Sequence, residues 1–112
     1  MQIEHEDFAN CRVIRPIGRL DGLSATAAES ELNSFFNEGG RNLILDLSKL
    51  VYISSAGLRI VLVAGKHARK AQGTLVLAAL TPNVREVFEM GGFLGLFRCT
   101  DDVPSALEVI AA

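Results

Sequence analysis

The stretch NLILDLSKLVYISSAGLRIVLVAGKHARK, residues 42–70, decides how this chain folds. It opens as NLILDLS, nearly continuous in apolar residues, which is the pattern of a central strand buried on both faces. It closes as a helix from Ala56 to about Ala71. Leu58, Val61, Leu62 and Ala68 form its buried face, and Lys66, His67, Arg69 and Lys70 suit the negative end of its dipole. At the junction stand two adjacent hydroxyls, Ser54 and Ser55, followed by the small pair Ala56-Gly57. A helix cap, a hydrolase nucleophile, or a site read and modified by another protein would each place serine there.

Outward from this stretch the chain reads as alternating strands and helices. Residues 2–8 and 11–19 predict two strands joined by a turn at Asn10, a hairpin whose second strand carries the irregularity of Pro16. Ser24 and Thr26 offer helix caps, and Thr26-Ala-Ala-Glu29 fits a capping box. Ala28, Leu32, Phe35 and Phe36 follow on one face, and Gly39-Gly40 closes that helix. After Gly73, which ends the 56–71 helix, TLVLAAL (74–80) predicts a second buried strand. Thr81-Pro82 then starts a helix with apolar Val84, Val87 and Phe88. LFRCT (96–100) predicts a last short strand, and Asp101 or Asp102 caps a final helix carrying Ala106, Leu107 and Ile110.

This order implies an α/β sandwich. An opening β-hairpin lies on a mixed, mostly parallel sheet of four to five strands, covered by about four helices. With 112 residues and no linker or repeat, residues 1–112 are expected to form one domain. A chain 49% hydrophobic with net charge −2 has material for a core and no basic, aromatic-laced surface for nucleic acid. The acidic N-terminus lacks a signal-peptide pattern, and no apolar run approaches the roughly 20 residues of a membrane span. Cys11 and Cys99 show no metal-ligand spacing and predict two buried, reduced thiols. A cytoplasmic protein without a membrane partner is expected.

The serine pair needs weighing. A cap explains one hydroxyl well and the pair only partly. A nucleophile elbow would need glycine where Ile53 stands. His67 lies 12 residues beyond Ser55, about 18 Å along a helix, out of reach as a general base. His5 sits on the first strand with no visible partner. Gly65-Lys66 ends like a phosphate-binding loop, but Ile60 and His67 break that pattern, and Gly65 reads as a small residue where helix meets sheet. Asp46 interrupts an apolar strand and so needs hydrogen-bond partners, most simply from the loop it enters. A metal centre would want a second carboxylate beside it, and only Asp21 offers one; no metal, cofactor or catalytic group is expected.

LILDLSKLVYISSAGLRIVL resembles the signature of the STAS domain, and specifically of bacterial anti-sigma factor antagonists. Asp46 and Ser48 match the first part of that signature, Gly57-Leu58 anchor the second, and GRLDG (18–22) also fits. The resemblance implies a non-enzymatic switch. The unphosphorylated form binds an anti-sigma factor serine kinase and frees a sigma factor, and a PP2C-type phosphatase resets the modified form. Aligned on Gly57-Leu58, the phosphorylated residue is Ser55, with Ser54 the second choice; Ser54 stands where the family often has Asp, and Ala56 where a second serine is common. Asp21, Ser54, Ser55, Ala56, Gly57 and Arg59 are then the expected partner-binding residues, with Asp46 and Ser48 supporting the loop. A monomer or weak dimer is expected. The alternative reading is a stand-alone STAS domain that binds a nucleotide or lipid, or regulates a partner outside transcription.

Overall fold

The structure, a computed structural model, describes residues 1–111. Strands β1 (Gln2–Asp7) and β2 (Arg12–Leu20) form the opening hairpin, followed by helix α1 (Ala25–Asn37). Strands β3 (Leu43–Asp46) and β4 (Leu50–Ile53) lead into α2 (Ser55–Lys70), then β5 (Leu75–Ala78) and α3 (Pro82–Met90). A short 3-10 turn (Leu94–Leu96), β6 (Arg98–Thr100) and α4 (Val103–Ala111) complete it. The strands run in the order β1-β2-β3-β5-β6, with β1 antiparallel to β2 and the later pairings parallel. β4 lies off this row and pairs, also parallel, with β2 alone.

The sheet thus has six strands rather than four or five, and the additional one is β4. Pro16 marks why it can exist. Residues 12–14 of β2 pair with β3, whereas Gly18, Arg19 and Leu20 pair with β4. Pro16, which has no N–H to donate, falls where β2 changes parallel partners. Gly18, at φ 100°, then takes the left-handed turn that lets the strand shift register.

Alternation along the inner strands builds two cores. Leu43, Leu45, Leu75 and Leu77 face α1 and α2, where Leu32, Phe35, Val61 and Ala64 pack on them. Ile44, Val76 and Ala78 point to the opposite face, beneath Ala106 of α4. Both faces are covered, which is why these strands are apolar throughout.

Several local expectations change. The serine junction follows β4, not the central strand β3. Residues 96–100 divide between the end of the 3-10 turn and the three-residue β6. Thr26 falls inside α1, so the capping box does not form. The cap residue is Ser24, whose hydroxyl is occupied elsewhere, donating to the Arg19 carbonyl at 2.8 Å. Thr81 does precede α3, but its hydroxyl donates to Leu50 O of β4 at 3.1 Å and so ties α3 to that strand. Asp102 caps α4, accepting from the Ser105 N–H at 2.8 Å. Leu62 and Cys99 are half-buried rather than buried, while Cys11 is buried; burial pushes both thiols up from their ordinary pKa. The left-handed residue after α2 is Gln72, at φ 62°. Gly73 answers a different need, since a Cβ there would lie 1.8 Å from the Arg41 carbonyl oxygen.

Asp46 closes a charged row across three strands. Its Oδ2 accepts from Arg15 Nε at 2.7 Å, and Arg15 Nη1 reaches Glu4 Oε1 at 3.1 Å. Asp46 Oδ1 accepts the Ser48 N–H at 3.0 Å and so turns the chain from β3 toward β4. Burial alone would raise the Asp46 pKa, but the Arg15 guanidinium and the Ser48 N–H outweigh it and hold the carboxyl below its ordinary value. A lowered carboxyl pKa stabilises the fold above the unfolded value near 4, and that contribution is lost as pH falls through the folded pKa. Urea midpoints measured at pH 7 and pH 3 are therefore expected to fall more in the native chain than in Asp46→Asn. An equal fall in both would show that Asp46 contributes nothing to acid sensitivity.

Candidate functional site

The site lies where the C-terminal ends of β2 and β4 meet. β4 continues its pairing one residue further, with the Ser54 N–H donating to Leu20 O at 2.9 Å. Ser54 is still extended (φ −93°, ψ 176°), and its Oγ accepts the Gly57 N–H at 3.2 Å. Ser54 is therefore the helix cap, satisfying an N–H that has no partner within the helix. Ser55 is the first helical residue and is exposed, as are Ala56 and Arg59. Gly57 is buried, and a Cβ there would lie 2.7 Å from both the Leu20 carbonyl oxygen and its Cγ. Glycine at 57 thus lets the first turn of α2 sit directly on the end of β2. Its N-terminus, with Ser55 on the outside, carries the positive end of the α2 dipole.

The two serines differ in a measurable way. Ser54→Ala removes the cap and is expected to cost about 0.5–2 kcal/mol, whereas Ser55→Ala should be within about 0.5 kcal/mol of the native chain. Denaturant unfolding of both variants checks this. The reverse order would mean that the helix starts one residue later.

The neighbouring loop, between β2 and α1, is held by Asp21. Its Oδ1 accepts the N–H groups of Leu23 at 3.0 Å and Ser24 at 3.2 Å. The N–H of Ser24 foremost, with Leu23 and the nearby Arg19 cation, keeps the Asp21 carboxyl below its usual range. Asp21 serves this turn, and Asp46 serves the β3 end through Arg15 and Ser48. Among the described residues no cluster of three metal-ligating side chains occurs. His67 of α2 is stacked on Phe36 of α1, with ring centroids 5.5 Å apart.

Three exposed apolar residues on the segments that lead to the junction escaped sequence reading. Leu23 at the tip of the Asp21 loop is 97% exposed, and Val51 and Tyr52 of β4 are 59% and 40% exposed. The Arg19 guanidinium covers the Tyr52 ring at 4.1 Å. No strand is legible at Val51 and Tyr52 because β4 is buried only at its ends, a pattern with neither strand nor helix period. Leu23 carried one usable signal, an apolar residue in a loop beside Gly22.

Residues 2–106 match the STAS domain family. The chain belongs to that family. Over 80 residues this STAS domain is 50% identical to the "putative anti-sigma factor antagonist BtrV" of Bordetella bronchiseptica; the match covers 71% of this chain and 69% of BtrV. Among solved structures it superposes on an anti-sigma factor antagonist from Mycobacterium paratuberculosis with a TM-score of 0.90 at 22% identity, covering 99% of this chain and 94% of that one. It likewise superposes on the Bacillus cell fate determinant SpoIIAA in its phosphorylated form, with a TM-score of 0.78 at 21% identity over 97% and 99% of the two chains. At such identities the structures establish a shared STAS fold. Among the described residues no helix is long and apolar enough to cross a membrane.

Proposed function

We propose that this STAS domain is an anti-sigma factor antagonist. Its unphosphorylated form binds an anti-sigma factor serine kinase and so frees a sigma factor. Phosphorylation of Ser55 switches that binding off, and a PP2C-type phosphatase restores it. The protein performs no catalysis itself and acts in the cytoplasm. The observation that carries this reading is the division of labour at the junction. Ser54 spends its hydroxyl on the Gly57 N–H, which leaves Ser55 exposed at the first position of α2. The 50% identity to BtrV and the phosphorylated state recorded for SpoIIAA support it.

The surface around Ser55 suits docking. Leu23, Val51 and Tyr52 offer exposed apolar area, Arg59 offers charge, and Ser55 with Ala56 stays small enough for close approach. A phosphate on Ser55 would add roughly −1.5 to −2 charges at pH 7 inside that contact. In the free protein the same phosphate sits at a helix N-terminus, which favours anions. The test is to incubate the chain with an anti-sigma factor serine kinase and ATP, then map the modified residue by mass spectrometry. Phosphate is expected on Ser55 and absent from Ser55→Ala; phosphate on Ser54 alone would overturn the assignment.

A further inference from the structure

At the end of α2 opposite Ser55, a half-open groove of about 540 Å³ runs between the helix, the start of β5 and the segment before β6. That volume lies in the range of roughly 300–1,000 Å³ typical of pockets for small organic ligands. Leu62, Leu75, Phe93 and Phe97 make its floor. Leu96 stands at the same groove 62% exposed, a large apolar side chain left in water. Gly65 shapes the groove by giving α2 no side chain where Phe97 approaches; a Cβ there would lie 3.1 Å from the Phe97 ring.

The charge around this floor has one sign. Lys66, Arg69 and Arg98 line the groove, and no Asp or Glu does. Among the described residues none of these three cations forms an ion pair, whereas Arg12, Arg15 and Arg19 each do. In a chain of net charge −2, the groove gathers unpaired positive charge against an apolar surface. Arginine guanidinium groups match carboxylate and phosphate oxygens two at a time.

We infer that this groove binds a single-chain amphiphile with an anionic head group. Its alkyl chain lies on the Leu62–Phe97 floor, and its head meets Lys66, Arg69 and Arg98. The size of the slot favours one chain over a peptide helix. A groove of about 540 Å³ matches the space one small organic ligand fills, less than a peptide helix of several turns needs. Leu62 to Arg69 lie roughly 10–20 Å of helical rise beyond Ser55, so this site is separate from the serine surface.

Amide spectra of the ¹⁵N-labelled full chain, titrated with sodium decanoate below its micelle concentration, test the inference. Saturable shifts are expected at Leu62, Gly65, Arg69, Leu75 and Phe97, with Ser55 unmoved. Decyltrimethylammonium, with the same chain and a cationic head, is expected to bind at least tenfold more weakly. The Arg69→Glu/Arg98→Glu double variant changes only exposed side chains, so its remaining spectrum reports an intact fold; its decanoate affinity should fall at least tenfold. Absence of saturable shifts, equal binding of the cationic homologue, or undiminished binding by the double variant would each overturn the inference. So would shifts produced only by anionic vesicles, or only by an acidic amphipathic peptide, which would assign the groove to a membrane surface or a protein partner instead.

Discussion

Under the proposed function, phosphorylation at Ser55 is expected to weaken binding to an anti-sigma factor kinase roughly 30- to 4,000-fold. The range follows from about 2–5 kcal/mol for a charge left unpaired in a desolvated contact. Ser55→Asp carries about one charge in place of nearly two, so it should lose affinity in the same direction by less. Ser55→Ala should bind like the native chain and remain bound in the presence of ATP. Titration calorimetry on the forms reads these values directly. The fold gives a control: an anion at the α2 N-terminus gains roughly 0.3–1 kcal/mol from the helix dipole. The phosphorylated protein should therefore melt no lower than the unmodified one. A marked drop in its melting temperature would show that the switch works by disordering α2 rather than by charging an interface.

The largest loss of stability is expected at Phe88, about 3–5 kcal/mol for Phe88→Ala. Phe88 is fully buried on α3, and its ring meets Phe97 edge-on with centroids 5.8 Å apart. Truncation leaves a cavity under α3, the helix that Thr81 ties to Leu50 of β4. A typical domain has only about 5–15 kcal/mol in total, so the variant should be close to its limit at room temperature. Met90, two residues on at the end of the same helix, is 80% exposed, and Met90→Ala should stay within about 0.5 kcal/mol. Guanidinium denaturation of the pair separates core packing from a general weakness of α3. Similar midpoints for the two variants would contradict the packing described for this helix.

How much of this was legible in the sequence depended on whether the signal was local. β3 and β5 announced themselves because both faces of each are covered, leaving no polar position to interrupt the run except Asp46. The helices were legible from their apolar faces, and α1 and α3 also from the glycines that follow them. β4 was not, because it has four residues, two of them exposed, and its pairing with β2 is set by a proline and a glycine some thirty residues earlier. Arg15 is separated from Asp46 by 31 positions, so the charged row across β1, β2 and β3 has no sequence signature.

The caps show the same limit at short range. Several hydroxyls near the start of α1 fitted a capping pattern, yet Ser24 bonds backward to Arg19 and Thr26 is absorbed into the helix. At α2 the residue types marked the junction but not which serine caps the helix. Which serine caps depends on where the chain leaves the extended conformation, a matter of one residue, and the hydrogen bond from Ser54 to Leu20 fixes it. The resemblance to the STAS signature pointed to Ser55 by alignment on Gly57-Leu58. The geometry makes Ser54 the cap and leaves Ser55 exposed at the first helical position.

Under the proposed function, one hydroxyl at the start of α2 decides whether a kinase holds a sigma factor or this protein. The most direct measurement is a displacement assay. A labelled sigma factor bound to its anti-sigma kinase is titrated with the unmodified chain and, separately, with the chain phosphorylated at Ser55. The unmodified form is expected to release the sigma factor, and the phosphorylated form to leave the complex intact over the same concentrations. Equal release by both forms, or release by neither, would contradict the account.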